Sequence, residues 1–188
     1  MLGLLVAAML LACSEDSSSN ANSESSSNAT SFKDPRDGIS YRIVTIGDQT
    51  WMAENLMFVE SDGKGSGLAW RGYYGSSEIT SVCPSGWHLP SLSEWEILIE
   101  TVGGWSVAGK MLKSNSGWYA NGNGTDSYGF NASPSGYWGH GDSPSERGRE
   151  TNYWARGGYL YLTYKRDDAR VINDASSSEM KSVRCLKD

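Results

Sequence analysis

Apolar positions along this 188-residue chain fall into four successive patterns. The first is an unbroken, uncharged run, MLGLLVAAMLLAC. The second is its opposite: SEDSSSNANSESSSNATS is almost wholly Ser, Asn, Ala and acid. The third mixes two periods. DPRDG is a turn, and ISYRIVTI after it is rich in β-branched residues and predicts a strand. Gly47-Asp48 is a tight-turn pair, so QTWMAENL is predicted to return as the second strand of a hairpin. Beyond the polar loop VESDGKGSG, Leu92, Trp95, Leu98, Ile99 and Val102 recur on one face at helical spacing. Ser91 and Glu94 form a capping box at the start of that helix, and Gly103-Gly104 stops it. SVAGKMLKS predicts a second short helix with Ala108, Met111 and Leu112 inward.

The fourth pattern starts at Trp118, where glycine, serine and aromatics punctuate the chain. Short strands are predicted around Phe130 and Tyr137, with long loops between. TNYWAR, GYLYLTY, ARVIN and SVRCLKD read as closing strands. GYLYLTY alternates, with Tyr159, Tyr161 and Thr163 on one face and Leu160, Leu162 and Tyr164 on the other. Strands, a helix or two, then more strands predict an α+β architecture, with helices packed on an antiparallel sheet. The chain has no internal repeat of useful length.

The N-terminal run is about a dozen residues long, too short for a membrane-spanning helix, which needs about 20. It fits the apolar core of a signal peptide, although no Lys or Arg precedes it. Leu10-Leu11-Ala12-Cys13 resembles a bacterial lipobox, which makes Cys13 the expected lipidation site. The competing view is an ordinary signal with an incidental cysteine. Residues 1–12 are then a signal peptide and residues 13–32 a tether, too poor in apolar surface to offset chain entropy. Glu15 and Asp16 resemble the surface-export signal of some bacterial lipoproteins. The expected address is the cell envelope, lipid-anchored to the outer membrane and exposed at the surface. The remaining 33–188 form one domain.

Charge and composition narrow the function. Net charge is −6, and the three tether acids leave −3 on the domain, sixteen basic against nineteen acidic residues. Nucleic acid demands a basic face, so it is excluded as a general partner. Eight Trp, ten Tyr and 22 Gly with few aliphatics favour a loop-rich, strand-rich extracellular domain. With Cys13 lipidated, Cys83 and Cys185 remain, and an oxidising compartment would pair them. Closing a loop of about 100 residues contributes roughly 4.7 kcal/mol in the chain-entropy treatment, less any strain. The rival is Cys83 as a nucleophile beside His88. Nothing nearby in sequence activates that thiol, and Pro84 follows it directly.

Four segments together carry a resemblance. DPRDGISYRIVTIGDQTWMAENL, CPSGWHLPSLSEWEIL, GTDSYGFNASPSGY and the terminal SVRCLKD resemble, in that order, the Fibrobacter succinogenes major paralogous domain over roughly residues 33–188. Members are typically bacterial lipoproteins. The resemblance implies a C-type lectin-like fold, with a Cys83–Cys185 bridge, helices against a curled antiparallel sheet and a long irregular loop region. It implies no enzymatic activity. One segment departs from the family: NYWARGG stands where a YYWSS-like strand is usual, which puts the path of that strand in question.

Site chemistry is sparse. Only His88 and His140 are available as imidazole ligands, with no close Cys/His pair, so no metal site is expected. His88, inside GWHLP, is expected to be a buried hydrogen-bonded group. The Glu/Gln-Pro-Asn/Asp and Trp-Asn-Asp triplets of calcium-dependent lectins are missing. Asn173-Asp174 follows Val171-Ile172 rather than Trp, which makes it a poor calcium site. No nucleophile elbow, Walker loop or dinucleotide fingerprint occurs, and no cofactor is expected. No carboxylate pair signals a glycosidase, and a formylglycine-generating activity would need cysteines that the bridge consumes.

The remaining signal is aromatic. Trp70, Tyr73 and Tyr74 lie in one loop region; Tyr119, Tyr137, Trp138 and His140 lie in another, with Asp142 and Asn121 as polar neighbours. Exposed aromatic faces suit the C–H faces of sugar rings. In loop-rich domains aromatics also replace aliphatic core, the role expected for Trp51, Trp87, Trp95, Trp118 and Phe130. The leading expectation is a surface-displayed module that binds glycan or a neighbouring surface protein through Tyr119, Tyr137, Trp138, His140 and Asp142. The alternatives are a structural surface lipoprotein with protein contacts only and, behind it, a carbohydrate-active enzyme.

Overall fold

The computed structural model describes residues 30–59, 69–70, 72–139, 144–176 and 178–188. Cys13, His140 and Asp142 lie outside them. The architecture is α+β. Ten strands run in chain order: β1 Ser31–Lys33, β2 Ser40–Ile46, β3 Gln49–Met52, β4 Ala69–Trp70, β5 Tyr73–Tyr74, β6 Trp87–His88, β7 Glu150–Ala155, β8 Gly158–Thr163, β9 Arg170–Ile172 and β10 Leu186–Lys187. Helices α1 (Leu92–Thr101) and α2 (Trp105–Leu112) sit between β6 and β7. Among the described residues no helix is long and apolar enough to cross a membrane.

The larger sheet has the order β1-β2-β3-β10-β6 and the smaller β7-β8-β9; β4 and β5 pair separately. All ladders are antiparallel. The β2–β3 hairpin closes on Ile46↔Gln49, with Gly47 at φ 60°, a value that favours glycine in a two-residue turn. β1 brings an adjustment. It takes in Ser31 and Phe32, which composition alone assigns to the tether, and Phe32 packs on Trp87 at 5.1 Å between ring centroids. A single aromatic with a docking partner is enough to draw the end of a polar segment into the sheet.

Helix α1 forms where its caps and period place it. Ser91 Oγ accepts from the Glu94 N–H at 3.3 Å, and Glu94 Oε2 accepts from the Ser91 N–H at 2.7 Å. Trp95, Leu98 and Ile99 face the core. Gly103 and Gly104, at φ 112° and 90°, end the helix. Helix α2 stops at Leu112, short of the predicted end, because Lys113 turns extended and bridges Ala132. Its inward residues are Ala108 and Leu112, with Met111 half-buried, and Gly109 lies flat against the carbonyls of Asp167 and Asp168.

Two aromatic-rich cores result. One stacks Trp51 on Trp95 at 4.4 Å, with Phe130 edge-on to both and Leu98, Ile99, Leu160 and Leu162 around them. The other gathers Tyr41, Met52, Tyr74, Trp87, Trp154 and Cys185. Trp51, Trp87, Trp95, Trp118 and Phe130 are all buried, as their role as aliphatic substitutes requires. Cys83 and Cys185 form a disulfide, with Cα atoms 5.8 Å apart across 102 residues of sequence.

The predicted strands near Phe130 and Tyr137 do not form ladders. Ala132, Gly136, Tyr137 and Trp138 each make single bridges, to Lys113, Thr151, Ser145 and Met180. Pro134, Gly136 and Gly139 interrupt the run, so pairing proceeds one residue at a time. The SVRC segment likewise bridges singly, and only Leu186–Lys187 joins the large sheet. The NYWARGG segment has a clear path. Arg156-Gly157 is the two-residue turn of the β7–β8 hairpin, closed by Ala155↔Gly158, with Gly157 at φ 94°. The Arg156 N–H donates to Pro90 O at 2.8 Å.

Candidate functional site

Alternation in the β7–β8 hairpin separates two chemistries. Tyr153, Leu160 and Leu162 point into the core. Glu150, Asn152 and Trp154 lie across from Thr163, Tyr161 and Tyr159, and these make the opposite face. On that face Asn152 Nδ2 donates to Glu150 Oε1 at 3.0 Å, and Tyr161 OH donates to Glu150 Oε2 at 3.3 Å. Trp154 meets Tyr159 edge-on at 6.4 Å, and its Nε1 donates to Tyr74 O at 2.7 Å. The buried Lys181 ammonium lies 4.6 Å from the Tyr159 ring centroid and 4.9 Å from that of Trp154, and donates to Glu179 Oε2 at 3.0 Å.

The group shares one electrostatic environment. Burial pushes the Glu150 carboxyl above the usual carboxylate range; the Asn152 and Tyr161 bonds oppose this, while Glu146 and Glu179 add to it. Burial, followed by Glu179, Glu150 and Glu146, raises the Tyr137 phenol. Burial raises the Tyr159 phenol too, helped by Glu179, Asp174 and Glu150. Burial pushes the Lys181 ammonium down against the pull of Glu179. Three phenols thus share one acidic, half-buried surface. It offers aromatic faces beside carboxylate acceptors and hydroxyl donors, and it disfavours anions.

The sequence-predicted residues divide. Tyr137 and Trp138 lie at this surface: the 136–138 segment bridges Thr151 of β7 through Gly136 and Met180 through Trp138. Both are half-buried, and Trp138 leans on Tyr73 at 6.0 Å. Tyr119 is 54% exposed and packs elsewhere, edge-on to Tyr164 at 5.4 Å with the Arg149 guanidinium 4.9 Å from its ring centroid. The two groups touch opposite ends of the 145–149 turn, since Tyr137 pairs with Ser145 and the Tyr119 N–H donates to Gly148 O at 2.7 Å. His140, Asp142 and the Trp70 side chain fall outside the described residues. Tyr73 and Tyr74 are core, not loop platforms. Glu150, Asn152 and Lys181 escape a reading of the sequence. The Tyr159/Tyr161 alternation is their one local signal, and it needs the register of the β7 partner to become a site.

In the CPSGWHLPSLSEWEIL segment, Cys83 is taken up by the disulfide and Ser91 and Glu94 by the helix cap. His88 is half-buried rather than buried, because β6 holds it at the sheet edge. Its Nε2 lies 2.9 Å from Glu94 Oε1 and its Nδ1 2.6 Å from Asp188 Oδ1. Burial tends to raise Glu94, but bonds from the Ser91 N–H, the Ser91 hydroxyl and His88 outweigh it and hold the carboxyl below its usual range. Unfolded, Glu94 takes up its proton near the ordinary value of roughly 4.3; folded, it resists to lower pH. Its stabilising contribution is therefore whole above that value and is lost as pH falls through the lowered one. Glu94→Ala is expected to cost about 1 kcal/mol at pH 7. That gap to the unsubstituted chain should narrow toward pH 3 in urea titrations. A gap independent of pH would show that the carboxylate is not what stabilises the helix start.

Asn173 and Asp174 are exposed, and Asp174 Oδ1 accepts from the Ser176 N–H and hydroxyl at 2.8 and 2.6 Å. Among the described residues no group of three or more His, Cys, Asp or Glu side chains is placed to hold a metal ion. A family model described as the Fibrobacter succinogenes major domain matches residues 44–187. No curated protein and no solved structure matches the chain.

Proposed function

The chain belongs to the Fibrobacter succinogenes major domain family, and from that membership we propose that it is a glycan-recognition module without catalytic activity, held at the bacterial cell surface by a lipid on Cys13. The Ser/Asn-rich segment after Cys13 stands the domain off the outer membrane, and the domain is of the C-type lectin-like kind. The observation that carries the reading is the face on which Tyr161 and Asn152 both donate to Glu150 and Tyr159 lies across the hairpin from Trp154, with Gly136, next to Tyr137, bridged to Thr151 at its edge. A sugar has apolar C–H faces and a hydroxyl rim, and this surface matches both. Its acidity favours neutral or amino sugars over uronates and sulfated chains. A neighbouring surface protein would instead need a larger apolar core to its interface.

The test is a polysaccharide array probed with the full chain in a non-glycosidic detergent. At least one neutral polysaccharide should be retained, and Tyr137→Ala should weaken it about tenfold, or ~1.4 kcal/mol. Retention of none, or retention indifferent to Tyr137, defeats the reading.

A further inference from the structure

Trp105, the first residue of α2, is 40% exposed, the most of any tryptophan whose side chain is described. It borders a cleft of about 630 Å³ whose other walls are Ser106 and the loop 165–169. That loop is fixed from beneath. The Ala169 N–H donates to Trp105 O at 3.1 Å, and the Lys110 N–H to Asp167 O at 2.9 Å. The buried Lys113 ammonium donates to Thr163 O at 3.1 Å and Arg166 O at 2.9 Å. Gly109 lets the loop backbone lie directly on α2. Above this base, Asp168 accepts from Arg166 Nε at 2.7 Å and Arg170 Nε at 3.4 Å. Among the described residues, the Asp167 carboxylate and the terminal nitrogens of Arg166 make no hydrogen bond to protein. The cleft therefore presents one flat apolar plate and a rim of open donors and acceptors, held in place before any ligand arrives.

We propose that this cleft is a second saccharide subsite, with the Trp105 indole under the C–H face of one sugar ring and Asp167 and Arg166 bonding its hydroxyls. It rests on the reading of the chain as a glycan binder but uses none of the residues of the tyrosine face. Lys165, Arg166 and Arg170 are largely offset by Asp167 and Asp168, which leaves little net charge at the rim and makes the ligand a neutral sugar. A single indole among charges fits a small amphipathic ring better than the continuous apolar patch of a protein interface.

The full chain, in a non-glycosidic detergent, is titrated calorimetrically with cellohexaose, xylohexaose and mannohexaose. At least one should bind, about tenfold more weakly to Trp105→Ala. Asp167→Ala should weaken it as well and should melt with the unsubstituted chain, since its side chain is exposed. Binding lost on Tyr137→Ala but intact in Trp105→Ala and Asp167→Ala overturns the subsite and leaves the tyrosine face standing. Loss in Trp105→Ala and Asp167→Ala alone sustains the subsite and removes the tyrosine face. No hexasaccharide binding by the unsubstituted chain overturns the subsite and leaves the tyrosine face to be decided by the polysaccharide array.

Discussion

Replacing Cys83 and Cys185 together by alanine is expected to lower the melting temperature by about 10–20 °C, the equivalent of ~4.7 kcal/mol in a domain of this size. The bridge closes 102 residues, more than half the chain, so breaking it frees a large part of the unfolded ensemble. The native contacts it protects are short. Cys185 precedes β10, a two-residue strand whose partners are β6 and β3. Leu186↔His88 and Lys187↔Trp87 are the whole of the β10–β6 ladder. Without the crosslink, these pairs, the Leu186↔Trp51 pair, the Met52 and Leu56 N–H bonds to Cys185 O and Val183 O, and the Arg184 guanidinium must hold the tail in the centre of the sheet. Calorimetry on the paired variant, beside the single variants, measures the effect. A shift of only a few degrees would mean that packing alone fixes the tail.

Helix α1 was legible because its signals are local: a capping box, a 3.6-residue period and a Gly-Gly stop. The β2–β3 turn was legible for the same reason, and the cysteine pair by elimination. The region after Trp118 was not, since strands of one bridge each have no period to detect. The site was half legible. Alternation put Tyr159 and Tyr161 on one face, yet only the β7 register supplies Glu150 and Asn152 to them. Tyr119 and Tyr137 are close in sequence pattern but part company in space, because the 145–149 turn takes one at each end. Least legible are the buried cations Lys113, Lys181 and Arg184. In sequence a basic residue reads as surface; its burial depends on oxygens contributed by distant segments.

Arg184 is the extreme case, and Arg184→Met is expected to cost about 3–5 kcal/mol. The side chain is buried, and its guanidinium meets only neutral oxygens. Nε donates to Asn55 Oδ1 at 2.8 Å, Nη1 to Met52 O at 3.0 Å and Phe130 O at 2.8 Å, and Nη2 to Asn131 O at 3.0 Å. The rings of Phe130 and Tyr153 lie 5.0 and 5.2 Å from the guanidinium carbon. One side chain thus ties the end of β3, the 130–131 turn and the tail together. Methionine fills much of the volume but leaves these acceptors without donors. Water can reach Asn131 O from the cleft of about 420 Å³ that Asn55, Asn131 and Arg184 line, but the Met52 and Phe130 bonds are buried. Arg184→Lys has one nitrogen for acceptors spread around a planar fork, so it should recover only part of the loss. Because Arg184 adjoins Cys185, the loss should also be non-additive with removal of the bridge. Once the tail is free to leave, its carbonyl partners are free to find water, and the second substitution costs less than it does alone. Urea titration of the four-member cycle measures this. Additive losses would mean that the guanidinium and the bridge hold the tail independently, and an Arg184→Met protein as stable as its parent would mean that the guanidinium is accommodated by the fold rather than holding it.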